Sequence, residues 1–147
     1  MKKTMLLKIL LILLPVMAVG LATTMDSVMV FDPSGGQTSY YSYFDALPVK
    51  NLEMITPLTA LAAAVSGILA ALYMAKKREY FLKGAGYAAL ASSCLAAIPM
   101  VVREDVLVVP NVGLPIFMVM EFVVSYMLQK SAKETSPKGP KERLRKR

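Results

Sequence analysis

Four long apolar runs constrain the fold of this chain of 147 residues more than any other feature. Three of them are long enough to cross the hydrocarbon core of a bilayer, which takes about 20 helical residues. The fourth is apolar apart from Glu121 and two prolines. We therefore predict an all-α integral membrane protein, built as one four-helix transmembrane bundle. The runs are Met5–Ala22, Leu58–Ala75, Ala85–Val102 and Val106–Leu128.

The distribution of charge predicts the orientation of these helices. If all four span and both termini lie on the same side, fifteen of the 17 Lys and Arg residues fall on that side. The positive-inside rule assigns such a side to the cytoplasm. We therefore predict a plasma-membrane protein with both termini cytoplasmic, and we attribute the net charge of +7 to topology rather than to nucleic-acid binding. The acidic residues on the outer side are Asp26, Asp32, Asp45, Glu53, Glu104 and Asp105.

The first 22 residues also fit a cleavable signal peptide. Lys2 and Lys3 precede an apolar core, and Gly20 and Ala22 are small residues at cleavage positions. Cleavage would leave three helices and an outside N-terminus. We favour retention, because the apolar run continues past the usual length of a signal core, and we expect Pro15 to kink the retained helix.

The domain boundaries follow from the same pattern. Residues 1–130 form the transmembrane domain, with helices at about 5–23, 56–76, 82–102 and 114–130 and an outer loop at 24–55. Thr56 and Pro57 are expected to cap the second helix. The tail 131–147 is basic, contains two prolines and a glycine, and is predicted to be disordered and cytoplasmic. Its lysines and arginines are expected to attract anionic lipid headgroups.

Small residues recur at steps of four in the second and third helices. Such residues let helix backbones approach closely within a bilayer. The short link between these helices predicts that they are antiparallel neighbours, and an oligomer contact through the same residues is the alternative. The packing residues expected are Ala63, Gly67 and Ala71 in the second helix, and Ala89, Ser93 and Ala97 in the third.

Glu121 is the one acidic residue deep within an apolar run. Carboxylates in a membrane are energetically costly and usually face the bundle interior. One hypothesis is structural, with Glu121 paired to Lys8 or bonded in its neutral form to Ser92, Ser93 or Tyr126. The other hypothesis is proton or cation coupling at Glu121.

Residues 26–44 are predicted to form a β-hairpin outside the membrane. Two β-prone runs flank the turn sequence DPSGG, in which glycine provides positive φ. Val106–Val109 is a candidate third strand, although helix remains an alternative for 106–110. The bundle should therefore carry a small extracytoplasmic hairpin or three-stranded cap.

Four aromatic residues of this segment form the candidate outer surface: Tyr40, Tyr41, Tyr43 and Phe44. They suit two roles. As interface aromatics, they would place their rings among lipid headgroups. As a binding platform, they would stack on a sugar, a peptide or a cell-wall ligand. A calcium site built from Asp26, Asp32 and Asp45 lacks the ligand spacing of known calcium loops.

The chain lacks the residue types of most enzymes and metal proteins. It has no histidine and one cysteine, Cys94, so it offers no ligand set for zinc, haem or iron–sulfur clusters and no Ser-His or Cys-His pair. We expect no cofactor, no metal and no enzymatic activity. The predicted role is an accessory or interaction subunit of a cell-envelope complex, bound to another membrane protein or to further copies of itself. The alternative is a small homo-oligomeric transporter or channel coupled through Glu121.

Overall fold

The computed structural model describes residues 2–24, 27–32, 34–48, 53–101 and 107–135. They form four α-helices and three β-strands. In chain order these are α1 (Lys2–Ala22), β1 (Val28–Asp32), β2 (Gln37–Tyr41), α2 (Ile55–Lys76), α3 (Glu79–Val101), β3 (Leu107–Pro110) and α4 (Gly113–Thr135). The fold is mostly helical with a small antiparallel sheet, as the sequence predicted.

Three of the four helices are long and apolar enough to cross a membrane. They are Lys3–Ala22, Ile55–Lys76 and Glu79–Pro99, with mean hydropathies of 2.5, 2.0 and 1.4. Helix α4 is outside this group, because Glu121 interrupts its apolar run and Gln129 and Lys130 end it.

Consecutive helices of the bundle are antiparallel, as two bonds between α2 and α3 show. The Ser66 hydroxyl lies 3.2 Å from the carbonyl oxygen of Ala85, and the Ser92 hydroxyl donates to the carbonyl of Thr59 at 2.9 Å. Residues later in α2 therefore lie beside residues earlier in α3. Serine-to-carbonyl bonds of this kind join helices where few other polar groups are present.

Helix α4 packs against α3 in the same antiparallel way, and α1 closes the ring by contacting α4 and α2. The Ser125 hydroxyl donates to the carbonyl of Leu82 at 2.7 Å, and Ser93 lies 3.5 Å from that of Pro115. Helices α1 and α4 therefore place Lys2 and Thr135 at the end of the bundle opposite the sheet.

The small residues buried in these interfaces recur every three or four residues along each helix. The fixed spacing of four residues that we predicted is longer than one helical turn. An α-helix has 3.6 residues per turn, so steps of four drift away from the contact face. Ala63 and Ala89 are buried as expected, whereas Ala71 and Ala97 are exposed. Gly67 faces Pro15 of α1 instead of α3, and Ser93 faces α4. The small buried residues include Ala60, Ala63, Ser66 and Ala70 in α2, and Ala85, Gly86, Ala89, Ser92 and Ala96 in α3.

Gly86 lies at a close contact between α3 and α4, which leads to a prediction. A Cβ there would lie 2.8 Å from Ser125 Oγ and 3.3 Å from Ser125 Cβ. Gly86→Ala should therefore displace the Ser125 hydroxyl from Leu82 and destabilise the bundle by about 1–3 kcal/mol. Gly20→Ala in α1 is the matched control, since nothing lies within 4 Å of its Cβ position. Thermal unfolding in detergent should separate the two variants, and equal midpoints would contradict the close contact.

The strands form a sheet in the order β2-β1-β3, antiparallel throughout. Met29 is opposite Tyr40 on one side and Val109 on the other. The hairpin turn has Gly36 at a φ of 63°, where glycine is favoured. The predicted hairpin and its third strand from the second loop are both confirmed. Val106 and Asp26 lie outside the described residues.

Several helix ends differ from expectation. Helices α1 and α3 start at Lys2 and Glu79, each three residues before the predicted start. Helix α2 starts at Ile55, one residue before the predicted start, and its Thr56 hydroxyl donates to the carbonyl of Asp45 at 3.0 Å instead of capping the helix. Helix α4 continues to Thr135, so residues 131–135, predicted as tail, are helical. These five residues contain no glycine or proline, so they are compatible with continuing the helix. Residues 136–147 lie outside the described residues.

Candidate functional site

Glu121 lies on α4, and its side chain is completely buried between the helices. The Ser66 hydroxyl of α2 forms a hydrogen bond with Glu121 Oε1. Within the described part of the chain, Glu121 Oε2 has no hydrogen-bond partner. The site is therefore a single carboxyl group held to one hydroxyl in the bundle interior.

The same hydroxyl has a second neighbour, which indicates the direction of the hydrogen bonds. Ser66 Oγ lies 3.2 Å from the carbonyl oxygen of Ala85. A hydroxyl has one proton, so it can donate only one strong, linear hydrogen bond, either to a carboxylate or to the carbonyl. A neutral Glu121 resolves this, because it donates to Ser66 while Ser66 donates to Ala85. The geometry thus fits a chain from the carboxylic acid through the hydroxyl to the carbonyl.

No positive charge offsets a charge on Glu121 within the described residues. The only ion pair there joins Lys83 to Glu79 at 3.9 Å on the surface of α3. Lys8, the predicted partner, is half-buried on α1 and does not pair with Glu121. Burying an unpaired carboxylate costs several kcal/mol, so the absence of a partner also favours the neutral acid.

The packing of α1 on α4 explains why Lys8 does not reach Glu121. Leu21 lies against Gly113, at 3.0 Å from the Cβ position of that glycine, and the two helices run in opposite directions from this contact. Lys8 lies 13 residues from Leu21, but Glu121 lies only 8 residues from Gly113. Lys8 is therefore displaced along the axis by about 7 Å toward the chain ends.

The hydroxyl partners predicted for Glu121 bond elsewhere. Ser92 is buried but donates to Thr59, Ser93 approaches Pro115, and Tyr126 is 61% exposed. The partner that the sequence analysis missed is Ser66. It is the one serine or threonine between Ala60 and Lys76, and it follows Ala63 at helical spacing, so spacings of three as well as four would have identified it.

Tyr43 is not part of an exposed aromatic surface, which corrects the prediction. Its side chain is 1% exposed, its hydroxyl donates to the carbonyl of Asn111 at 3.1 Å, and its amide donates to the carbonyl of Ala22 at 3.0 Å. Burial raises the pKa of the Tyr43 phenol above its usual value. Tyr43 follows Tyr41 by two residues, and Tyr41 is paired with Val28, which is fully buried, so alternation along this segment puts Tyr43 on the core side and Tyr40 on the other side.

The remaining aromatics of the segment are more accessible. Tyr40 is 56% exposed, Phe44 is 48% exposed and Tyr41 is half-buried. Strand β2 pairs on one side with β1, and in the described sheet its other edge is unpaired. Residues 37–40 of this strand are all exposed. Tyr40 therefore lies within a strand that has an open edge, and Phe44 lies three residues beyond the end of that strand.

The aspartates of the segment stabilise turns. Asp32 accepts hydrogen bonds from the Ser34 hydroxyl at 2.6 Å and the Ser34 amide at 2.9 Å, which lower the pKa of its carboxyl group. Asp45 accepts from the Ser42 amide at 2.8 Å, and its pKa is lowered for the same reason. Asp26 lies outside the described residues. Elsewhere in the described ranges, no three His, Cys, Asp or Glu residues are close enough to hold a metal ion.

Comparisons with protein-family models, with curated proteins and with solved structures find no match to this chain.

Proposed function

We propose that this chain is a multi-pass plasma-membrane protein with four spanning helices, cytoplasmic termini and a sheet on the outer side. The length and hydropathy of α1, α2 and α3 support this proposal. Helix α4 packs against both α1 and α3, and the side chain of Glu121 is buried inside the bundle. Helix α4 can therefore span the bilayer beside α1 and α3 without exposing Glu121 to lipid. The positive-inside asymmetry gives the orientation.

Helix α1 is retained under this proposal. Leu11, Leu14 and Ala18 are buried against the other helices, so cleavage would expose apolar surface on α2 and α4. A cleaved signal segment has no such packing role to fill. The alternative, three helices with an outside N-terminus, would leave these contacts unused.

The role proposed for the protein is that of a non-enzymatic accessory or interaction subunit of a cell-envelope complex. The observation that carries this proposal is the open edge of β2. Natural sheets usually protect their edges, because an exposed edge pairs readily with a strand of another chain. Partner proteins use such edges by adding a strand, and neighbouring side chains then select the partner. Tyr40 and Phe44 are positioned to make that selection.

A second candidate is a small homo-oligomeric transporter or channel. It is favoured by Glu121 Oε2, a buried oxygen without a hydrogen-bond partner in the described residues, which could accept a proton or contact a cation. Against it stands the complete burial of the Glu121 side chain.

The accessory role is tested by purifying the tagged chain from its native membrane and quantifying a co-purifying envelope protein. Tyr40→Ala combined with Phe44→Ala should reduce the recovered partner by about tenfold, as expected when two interface aromatics are removed. Tyr87→Ala is the matched control, since Tyr87 is a 69% exposed aromatic on α3, away from the sheet. Equal recovery with the wild type, the double variant and Tyr87→Ala would contradict binding at β2.

The transport candidate is tested by the flux of protons or cations into proteoliposomes. An accessory protein should give no flux above empty liposomes, with or without Glu121→Gln. Flux in the wild type that Glu121→Gln abolishes would instead establish the second candidate.

A further inference from the structure

A groove opens between α1 and α4 at the end of the bundle that carries the chain ends. Its volume is about 450 Å³. It lies between the first two turns of α1 and the last turns of α4, where the proposed orientation places the cytoplasmic headgroups. The lining residues are Lys3, Thr4 and Leu7 of α1, and Tyr126, Met127, Lys130, Ser131 and Glu134 of α4.

The groove favours an anion. Lys3 and Lys130 line it from opposite helices, and within the described residues neither forms an ion pair. Helix α1 begins here, and its first turn contains no acidic residue. Its backbone amides and the positive end of its dipole therefore add to the attraction. Glu134 is the one acidic lining residue, so the lining keeps a positive balance.

The groove is also amphipathic. Lys3, Thr4 and Lys130 lie toward the chain ends, while Leu7, Tyr126 and Met127 lie deeper along the bundle. A soluble anion would use only the polar part. A phospholipid would use both parts, with its phosphate between the lysines and the start of an acyl chain against Leu7 and Met127.

We propose that this groove binds the headgroup of an anionic phospholipid, with Lys3 and Lys130 contacting its phosphate and Leu7 and Met127 its first acyl carbons. This inference rests on the proposed membrane insertion but not on the proposed partner at β2. It concerns a defined groove on the bundle, separate from the attraction of lipid by the tail.

The test is a titration of the full-length protein in neutral detergent, with bound lipid counted by native mass spectrometry. Phosphatidylglycerol should bind more tightly than phosphatidylcholine with the same acyl chains. Lys3→Gln combined with Lys130→Gln should weaken phosphatidylglycerol binding about 20-fold, as expected for two lysine contacts. Lys77→Gln combined with Lys133→Gln removes two basic residues at the same end but outside the groove, and it should change binding less than about twofold.

Two outcomes would overturn the proposal. Equal weakening by both pairs would mean that the general positive field attracts the lipid, without a site. Displacement of the lipid by inorganic phosphate at equal concentration would mean that the groove holds a soluble anion. Circular dichroism of each variant verifies its fold, and Lys130→Gln alone replaces the pair if the double variant unfolds. The titration is carried out in detergent, so its result does not depend on which side of the membrane carries the sheet or on a partner at β2. A failure of this proposal is therefore distinguishable from a failure of the proposed function.

Discussion

Glu121→Gln should fold as the wild type does, whereas Glu121→Ala should destabilise the bundle by about 2–4 kcal/mol. The glutamine amide has nearly the shape of a neutral carboxylic acid. Its N–H group can donate to Ser66, and Ser66 can then still donate to the carbonyl of Ala85. Alanine removes this donor and leaves a cavity between α2 and α4. The measurement is thermal unfolding in detergent, followed by far-ultraviolet circular dichroism.

Met120→Ala is the control for the Glu121 variants, because Met120 precedes Glu121 on α4 but is 46% exposed. It should change stability by less than about 0.5 kcal/mol in either direction. A Glu121→Gln variant as unstable as Glu121→Ala would show that the bundle needs the carboxylate charge. The conclusion that Glu121 is a neutral acid, hydrogen-bonded through Ser66 to the carbonyl of Ala85, would then be wrong.

Tyr43→Ala should detach the sheet from the bundle and destabilise the protein by about 3–5 kcal/mol, as is usual for a large buried aromatic. Tyr43 fills the space beneath the strands, and its hydroxyl reaches the carbonyl of Asn111, just before α4. Tyr43→Phe removes only that hydrogen bond and should destabilise the protein by about 1 kcal/mol. The stability of each variant is measured by thermal unfolding in detergent.

Tyr40→Ala provides the comparison for Tyr43, since both are tyrosines of one segment and Tyr40 is 56% exposed. Its substitution should change stability by no more than about 0.5 kcal/mol. If Tyr40→Ala and Tyr43→Ala were equally destabilising, the assignment of Tyr43 to the core and of Tyr40 to the surface would be refuted.

The sequence predicted the elements of this fold because the signals for them are local. Uninterrupted apolar runs predict long helices, and two β-prone runs on either side of the turn sequence DPSGG predict a hairpin. The third strand followed from the valine-rich residues 106–109, and β3 spans Leu107–Pro110. Each of these predictions depends on a few neighbouring residues, so no knowledge of the packing was needed.

The contacts between elements were harder to predict, because they depend on helix rotation and register. Steps of four placed Ala71 and Ala97 in an interface that they do not reach, and they hid Ser66, the partner of Glu121. Lys8 was predicted to pair with Glu121 because both lie toward the cytoplasmic side of the membrane. In the structure the two residues lie at different heights along the bundle axis. Tyr43 was grouped with Tyr40 by composition, but the two residues are an odd number of positions apart and therefore face opposite sides of the segment.

The proposal that a membrane-embedded bundle carries its sheet outside is tested most directly by cysteine labelling in intact cells. In a Cys94→Ser background, Gln37→Cys places a thiol on exposed β2, and Lys133→Cys places one near the end of α4. A membrane-impermeant maleimide should label Gln37→Cys in intact cells and Lys133→Cys only after permeabilisation. Labelling of Lys133→Cys but not Gln37→Cys in intact cells, or equal labelling of both, would contradict it.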